Sequence, residues 1–174
     1  LTLPALAQIV LPNGFTSTVG PSANTFPWST TSNAHIQWIY DSTNFTLQGV
    51  NYPIIITSMR FRADDGATTV SWTGGTYPNV VIDVGPAAVD YLSMTNTYAS
   101  NRGAMTNVLT GAATVTPGSC NGAGIPAPWY VNIPFANPVQ YDPTSGVDLL
   151  VDVLKDQTGW VGGSHVLDRH FDLE

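Results

Sequence analysis

The sequence predicts an all-β fold, an antiparallel two-sheet β-sandwich of jelly-roll type with about eight strands. Three observations lead to this prediction. Strong helix formers are scarce, since the 174 residues include one Lys, Lys155, and one Glu, Glu174. Thr, Val, Ile, Tyr and Trp, which strands favour, are frequent. Turn-forming residues are frequent as well, with 16 Gly and 13 Pro lying between short alternating segments.

The domain organisation predicted is an N-terminal extended arm, residues 1–30, followed by one β-sandwich domain over residues 31–174. Pro, Gly, Ser, Thr and Asn dominate residues 12–34, as in a long loop. Residues 1–7 end in Ala-Leu-Ala, which fits the cleavage rule of a secretory signal peptide. They are either a signal-peptide remnant or an apolar first strand, and residues 173–174 are either native or the remnant of a tag.

Strands are predicted wherever apolar and polar residues alternate. The clearest such segments are 35–40, 54–62, 78–84, 129–135 and 147–153, and weaker ones are 107–116 and 164–171. In 78–84, Val80, Ile82 and Val84 are expected to face the core. In 147–153, Leu149 is expected at the centre of the buried face, and the polar positions are expected to face solvent.

A longer strand is predicted over residues 54–62. Ile55, Met59 and Phe61 are expected to face the core, and Arg60 and Arg62 are expected to point into solvent.

One segment departs from the strand pattern and predicts a short helix near residues 90–102. Asp90 is a suitable N-cap and Gly103 a suitable residue just beyond the C-terminus. Such a helix is expected to cover one end or edge of the sandwich.

The sequence predicts a protein without catalytic activity. It contains no Gly-x-Ser-x-Gly nucleophile motif. Asp148 and Asp152 share one strand face at roughly 13 Å, which exceeds the separation used in glycoside hydrolysis. They are interpreted as solvent-facing partners of basic side chains. His165 and His170 lie five residues apart, hence on opposite strand faces, and do not form one metal site.

A structural calcium ion is the one cofactor that the sequence leaves open. Acidic residues in turns and at strand ends could meet around a loop calcium, although none forms an EF-hand pattern. These residues are Asp64, Asp65, Asp83, Asp90, Asp142 and Asp148.

Charge restricts the partners further. The net charge of −7 and the 5 basic residues argue against nucleic acid as a partner. No apolar run approaches the roughly 20 residues of a membrane-spanning helix. Cys120 is the only cysteine, so it is either an ordinary thiol or one half of an intermolecular disulfide. Charged residues make up only 10% of the chain, which favours a secreted, extracellular or cell-surface location.

Aromatic residues near glycine turns are candidate contacts for a ligand or partner. Trp72 and Tyr77 belong to one such stretch, and Trp160 lies in another. A Trp in a loop either stacks on a sugar ring, anchors a protein contact, or packs over the end of the sandwich.

Four stretches together resemble secreted β-sandwich modules found in surface proteins of environmental bacteria. They are residues 35–45, 56–62, 98–103 and 138–152. The resemblance spans most of residues 26–155 and carries no catalytic residues. It implies a bacterial surface protein of unassigned function.

Two functions from different classes remain. The first is a secreted structural or assembly protein, a subunit of a surface layer, fibre or matrix, that self-associates or binds other surface proteins. Ile9, Val10 and Leu11 would form a strand donated to a sheet edge. The alternative is a carbohydrate-binding module that uses the loop aromatics on polysaccharide.

Overall fold

A computed structural model describes residues 8–20, 22–24, 27–28, 32–65, 69–156, 158 and 167–169. Within them the strands are β1 (Ser22–Asn24), β2 (Ala34–Tyr40), β3 (Ile54–Arg62), β4 (Val70–Trp72), β5 (Gly75–Pro86), β6 (Thr106–Val115), β7 (Gly118–Cys120), β8 (Trp129–Tyr141), β9 (Leu149–Lys155) and β10 (Leu167–Arg169). One short helix, α1, spans Thr43–Thr46, and single 3₁₀ turns lie at Tyr91–Ser93, Tyr98–Asn101 and Pro143–Ser145. Strands therefore dominate the described residues.

Six strands form one antiparallel sheet in the order β2-β9-β5-β6-β8-β3. The ladder between β6 and β8 consists of the single pair Val115–Val131, so the sheet bends sharply there. Its two outermost strands then approach each other, and the rings of Trp38 on β2 and Phe61 on β3 lie 6.0 Å apart between centroids. The core fills the space that this curl encloses.

Two small two-stranded sheets accompany the large one. β1 pairs with β10, and β4 pairs with β7, both antiparallel. The prediction of a mostly β, antiparallel chain is confirmed, and Val80, Ile82 and Val84 are buried as expected. The described part of the chain forms one curled six-stranded sheet with two small sheets, so the predicted two-sheet sandwich is not confirmed.

The inward face predicted for residues 54–62 is wrong in its first half. Ile55 is 68% exposed, whereas Ile54, Ile56, Met59 and Phe61 pack against the core. The register of β3 against β8 shifts between Ile56 and Ser58, which is a β-bulge or similar irregularity. Such an extra residue moves the alternation by one position, so the inward side chains are even-numbered before it and odd-numbered after it.

The orientation predicted for Arg62 is also wrong. Arg60 is exposed, but Arg62 is only 7% exposed. A second register shift separates Phe61 from Arg62 and turns the Arg62 side chain away from solvent. Its Nη2 donates hydrogen bonds of 2.8 Å to the carbonyls of Phe15 and Thr18 in the N-terminal arm.

Asp148 and Asp152 are buried, not solvent-facing as predicted, with 6% and 3% exposure. β9 begins at Leu149, and its Leu150 is fully buried on the face that was assigned to solvent. The segment 87–103 lies over this outer face of the sheet, as contacts described below show. Alternation distinguishes the two faces of a strand but does not reveal that both are covered.

The helix predicted near residues 90–102 is absent. Two separate 3₁₀ turns, Tyr91–Ser93 and Tyr98–Asn101, occupy the segment instead. Asp90 does cap the first turn, because its side chain accepts a hydrogen bond from the backbone amide of Leu92. Leu92 is 62% exposed, so no apolar stripe holds a helix against the sheet.

Candidate functional site

The N-terminal arm lies against the edge of the large sheet formed by β3. Val10 is 6% exposed, and Ile9 and Leu11 are partly buried against the core. These three residues form no strand; irregular backbone carries them. Two side chains of the α1 region hold the arm: Gln48 Nε2 donates to the Val10 carbonyl at 2.9 Å, and Asn44 Oδ1 accepts from the Asn13 amide at 2.8 Å.

An apolar cavity of about 620 Å³ lies between this arm and β3. Residues 8–12 form one wall, and β3 along its whole length, Ile54–Arg62, forms another. The inner wall includes Leu149 and Val151 of β9, so the cavity reaches from the sheet edge into the core. Its volume lies within the range of about 300–1,000 Å³ that is usual for ligand sites.

Charge is distributed unequally around this cavity. Arg60 and Arg62 line it, so two of the five basic residues of the chain do. None of the described lining residues is Asp or Glu, although the chain has 12 acidic residues. Arg60 is exposed, and its Nε donates to Asn132 Oδ1 at 3.2 Å.

A second candidate is a polar cluster on the outer face of the sheet, formed by His35, Gln37, Asp83, Arg102 and Asp152. Gln37, Asp152 and Asp83 lie side by side across β2, β9 and β5. Gln37 Nε2 and His35 Nε2 lie 2.8 and 2.7 Å from the two Asp152 oxygens. Arg102 bridges the two carboxylates, with 2.6 Å between Nη2 and Asp83 Oδ2 and a second hydrogen bond from Nη1 to Asp152.

The polar cluster has the character of a structural clamp. Adjacent carboxylates on neighbouring strands repel each other, and the guanidinium between Asp83 and Asp152 offsets this repulsion. The hydrogen bond that Arg102 donates to Asp83 is the main cause that raises the pKa of Arg102; partial burial opposes it, and the hydrogen bond to Asp152 adds to it. Every carboxylate oxygen named here already accepts a hydrogen bond from the protein, so the cluster holds its own side chains in place.

The same cluster attaches the segment 87–103 to the sheet. Asn101 is fully buried and donates from Nδ2 to Gln37 Oε1 at 2.9 Å. The ring of Tyr98 stacks on His35 with centroids 3.7 Å apart, and the Tyr98 hydroxyl donates to the His35 carbonyl at 2.7 Å. These contacts cover part of the β2 edge.

Asp148 performs a similar task at the other end of β9. Its Oδ1 accepts from the Ser42 amide just before α1, and its Oδ2 accepts from the Tyr91 amide, both at 3.0 Å. One buried carboxylate thus holds the start of α1 and the first 3₁₀ turn together. Asp148 and Asp152 were considered for chemistry, but each is engaged by backbone or side-chain donors.

Two of the three candidate aromatic contacts, Trp72 and Tyr77, are buried and present no exposed ring face to a sugar. Trp72 is 6% exposed, donates from Nε1 to the Thr116 carbonyl at 2.7 Å, and meets the Tyr130 ring edge-on at 5.5 Å. A Cβ on Gly118 would lie 2.6 Å from the Trp72 ring, so the packing is tight. Tyr77 is fully buried beside Trp28. Trp160 lies outside the described residues.

Metal and thiol chemistry were also considered. In the described ranges, no three His, Cys, Asp or Glu side chains converge in a way that could hold a metal ion. Most of the calcium candidates already accept hydrogen bonds from protein donors. Asp65 Oδ1, for example, accepts from the Gly122 amide, 57 residues away in the chain, at 2.8 Å. A structural calcium ion stays a prediction. His165 and His170 lie outside the described residues, and Cys120 is buried.

Comparison with protein-family models, with curated proteins and with solved structures finds no match to this chain. Of the helices among the described residues, none has the length and apolar character needed to cross a membrane. Functional inference therefore rests on the geometry of the chain itself.

Sequence reasoning missed the polar cluster and the cavity. Gln37 lies in the predicted strand 35–40, but nothing in the local sequence connects it to Arg102 or Asn101. The cavity could not be foreseen either, because it depends on the bulge in β3 and on where the arm lies. Ile9, Val10 and Leu11 were found from the sequence because an apolar triplet in a polar arm requires a partner.

Proposed function

We propose that this chain is a secreted, non-catalytic structural or assembly protein whose copies associate by exchanging their N-terminal arms. The observation that carries the proposal is the burial of Val10 beside the edge strand β3. An edge strand is the part of a sheet that readily accepts a segment from another chain. In this proposal the fold of the chain is a β-sandwich, in which β3 and β8 form one layer and β2, β9, β5 and β6 form the opposite layer.

The energetics of the arm favour exchange. Burying one Val and part of an Ile and a Leu contributes on the order of 5 kcal/mol. Ordering the roughly five residues that carry them costs a comparable amount, about 1–2 kcal/mol each. The arm is therefore docked only marginally, and a neighbour's arm makes the same contacts as the chain's own arm. Protein concentration then decides between the closed and the exchanged form.

Exposed apolar residues near this edge would lie in the contact between copies. Ile55 is 68% exposed on the outer side of β3, and Tyr52 just before the strand is 59% exposed. The other edge strand, β2, is partly covered by Tyr98. Copies would therefore meet at β3 rather than at β2.

The alternative function, a carbohydrate-binding module, loses support from the burial of Trp72 and Tyr77. Stacking on a sugar requires an exposed aromatic face, and neither ring presents one. A pull-down with insoluble polysaccharides would test the role of Trp160.

Disulfide trapping between two different variants tests arm exchange. The hydrogen bond of 2.8 Å between the Asn13 amide and the Asn44 side chain makes these two residues direct neighbours, so we choose them as the positions for a disulfide. Asn13→Cys and Asn44→Cys are made separately, each with Cys120→Ala, and one carries an affinity tag to alter its size. Because each variant has one thiol, a mixed disulfide between them can form only if the arm of one chain docks on the other.

We expect mixed dimers to form on mild oxidation, in a yield that rises with protein concentration. The matched control pairs Asn13→Cys with Thr110→Cys, a cysteine at an exposed position on β6 that the arm does not contact. Equal yields from both pairs, or none from the first, would refute exchange. Deleting residues 1–12 should likewise remove oligomers in light scattering.

A further inference from the structure

We propose that the cavity between the arm and β3 binds a long-chain fatty acid, with its acyl chain in the apolar interior and its carboxylate at Arg60. This inference is independent of the proposed assembly function, because either the chain's own arm or a neighbour's arm can form the outer wall. Binding of this small ligand is measured on the monomer.

The walls of the cavity suit a linear apolar chain. Along β3, Ile54, Ile56 and Met59 present apolar side chains to it, and Leu149 and Val151 form its inner end. The cavity thus extends from the exposed sheet edge to the core, and apolar side chains make up most of its described lining. A flexible acyl chain entering at the edge would bury its methylene groups, each contributing about 0.8 kcal/mol.

The polar end of the cavity selects an acid. Arg60 lines the cavity and is exposed to solvent, and its Nε donates to Asn132 Oδ1 at 3.2 Å. The net charge of −7 would repel an anionic ligand from most of the surface. Around this cavity the described lining contains Arg60 and Arg62 and no acidic residue, so an anionic ligand is attracted there rather than repelled.

Binding of palmitate and of hexadecanol compares an acid with a neutral molecule that carries the same chain. Both are measured by displacement of a fluorescent fatty acid from the purified monomer. We expect saturable binding at one site, with palmitate binding more tightly than hexadecanol by roughly 1.5-fold to fivefold, the range of a solvent-exposed ion pair. Absence of saturable binding of both molecules would overturn the proposal.

Two substitutions of Arg60 test the head-group contact. Arg60→Gln should reduce palmitate binding to the level of hexadecanol and leave hexadecanol binding unchanged, whereas Arg60→Lys should retain most of the preference. Arg60 is exposed, so neither change should alter thermal unfolding. If Arg60→Gln leaves palmitate binding intact, the carboxylate does not lie at this residue and the assignment is wrong.

Position is tested by a palmitate analogue with a photoreactive diazirine at its terminal carbon. After irradiation, peptide mapping should find the label on β3, on β9 or on residues 8–12. Labelling confined to other segments would refute the site. Phospholipid vesicles serve as the final comparison: co-sedimentation with vesicles, without displacement by free palmitate, would identify a membrane surface rather than a fatty acid and would also overturn the proposal.

Discussion

Replacing Lys155 with Met should stabilise the protein at neutral pH. Lys155 is the only lysine of the chain, yet it is 1% exposed and lies on the core-facing side of β9. Its Nζ lies 4.2 Å from the centroid of the Tyr77 ring. Burial lowers the pKa of Lys155 from 10.5 to about 8. The folded state thus disfavours the charged amine, which the unfolded chain solvates freely.

The pKa difference sets the size and the pH range of this effect. Between pH 8 and pH 10.5 the unfolded chain keeps the Lys155 proton and the folded chain has lost it, so stability rises with pH. Below pH 8 both states hold the Lys155 proton, and the buried charge destabilises the folded state by its full amount. At about 1.36 kcal/mol per pKa unit it amounts to about 3 kcal/mol. The cation–π contact with Tyr77, typically about 0.5–2 kcal/mol, is lost in the Met variant and reduces the gain.

Urea denaturation at a series of pH values from 7 to 9.5 is the assay. The wild type should gain stability across this series, and Lys155→Met should be more stable than the wild type by about 1–3 kcal/mol at pH 7, with no rise. Higher pH is avoided, because burial raises the pKa of Tyr40 and Tyr77 to about 12. Ionisation of these tyrosines in the unfolded chain lowers stability above pH 10.

Tyr77→Phe is the matched control, because it keeps the ring beside the amine and removes only the hydroxyl. The rise in stability from pH 8 should survive in this variant. If the wild type shows no rise, or if Lys155→Met is less stable at pH 7, the buried amine is better solvated than its surroundings suggest and the reasoning fails.

Three further predictions concern the core and the polar cluster. Leu149→Ala should lower the free energy of unfolding by about 2–5 kcal/mol in chemical denaturation, since Leu149 is 4% exposed. Leu154→Ala, on the same strand at 51% exposure, should lower it by under about 0.5 kcal/mol. Similar losses in the two variants would contradict the assigned faces. Asp152→Asn should destabilise by about 1–3 kcal/mol, because an amide nitrogen replaces one of the two oxygens that serve Gln37, His35 and Arg102, and one buried donor loses its acceptor. A hydrolytic activity lost in this variant while the fold persists would overturn the non-catalytic interpretation. Gly118→Ala should cost about 1–3 kcal/mol through its clash with Trp72, and unchanged thermal unfolding would show that the ring can move aside.

The sequence by itself determined that the chain is made of antiparallel strands and where most of them lie. Alternation located the core-facing side of β5, where Val80 and Ile82 are fully buried, because a regular strand turns successive side chains to opposite faces. It also singled out Ile9, Val10 and Leu11 as residues that need a partner. These are local properties, and a local pattern suffices to encode them.

Tertiary structure alone decided what lies against each face. Ile55 is exposed although it lies between two other isoleucines, because the bulge in β3 decides which of the three faces the core, and a register shift depends on the pairing strand. Asp152 is buried because a segment some 50 residues earlier in the chain, carrying Arg102, folds over it. Trp72 is buried because Gly118, on another strand, leaves room for its ring. Each of these outcomes is a contact between residues distant in the chain, and a pattern within one strand carries no information about its distant neighbours.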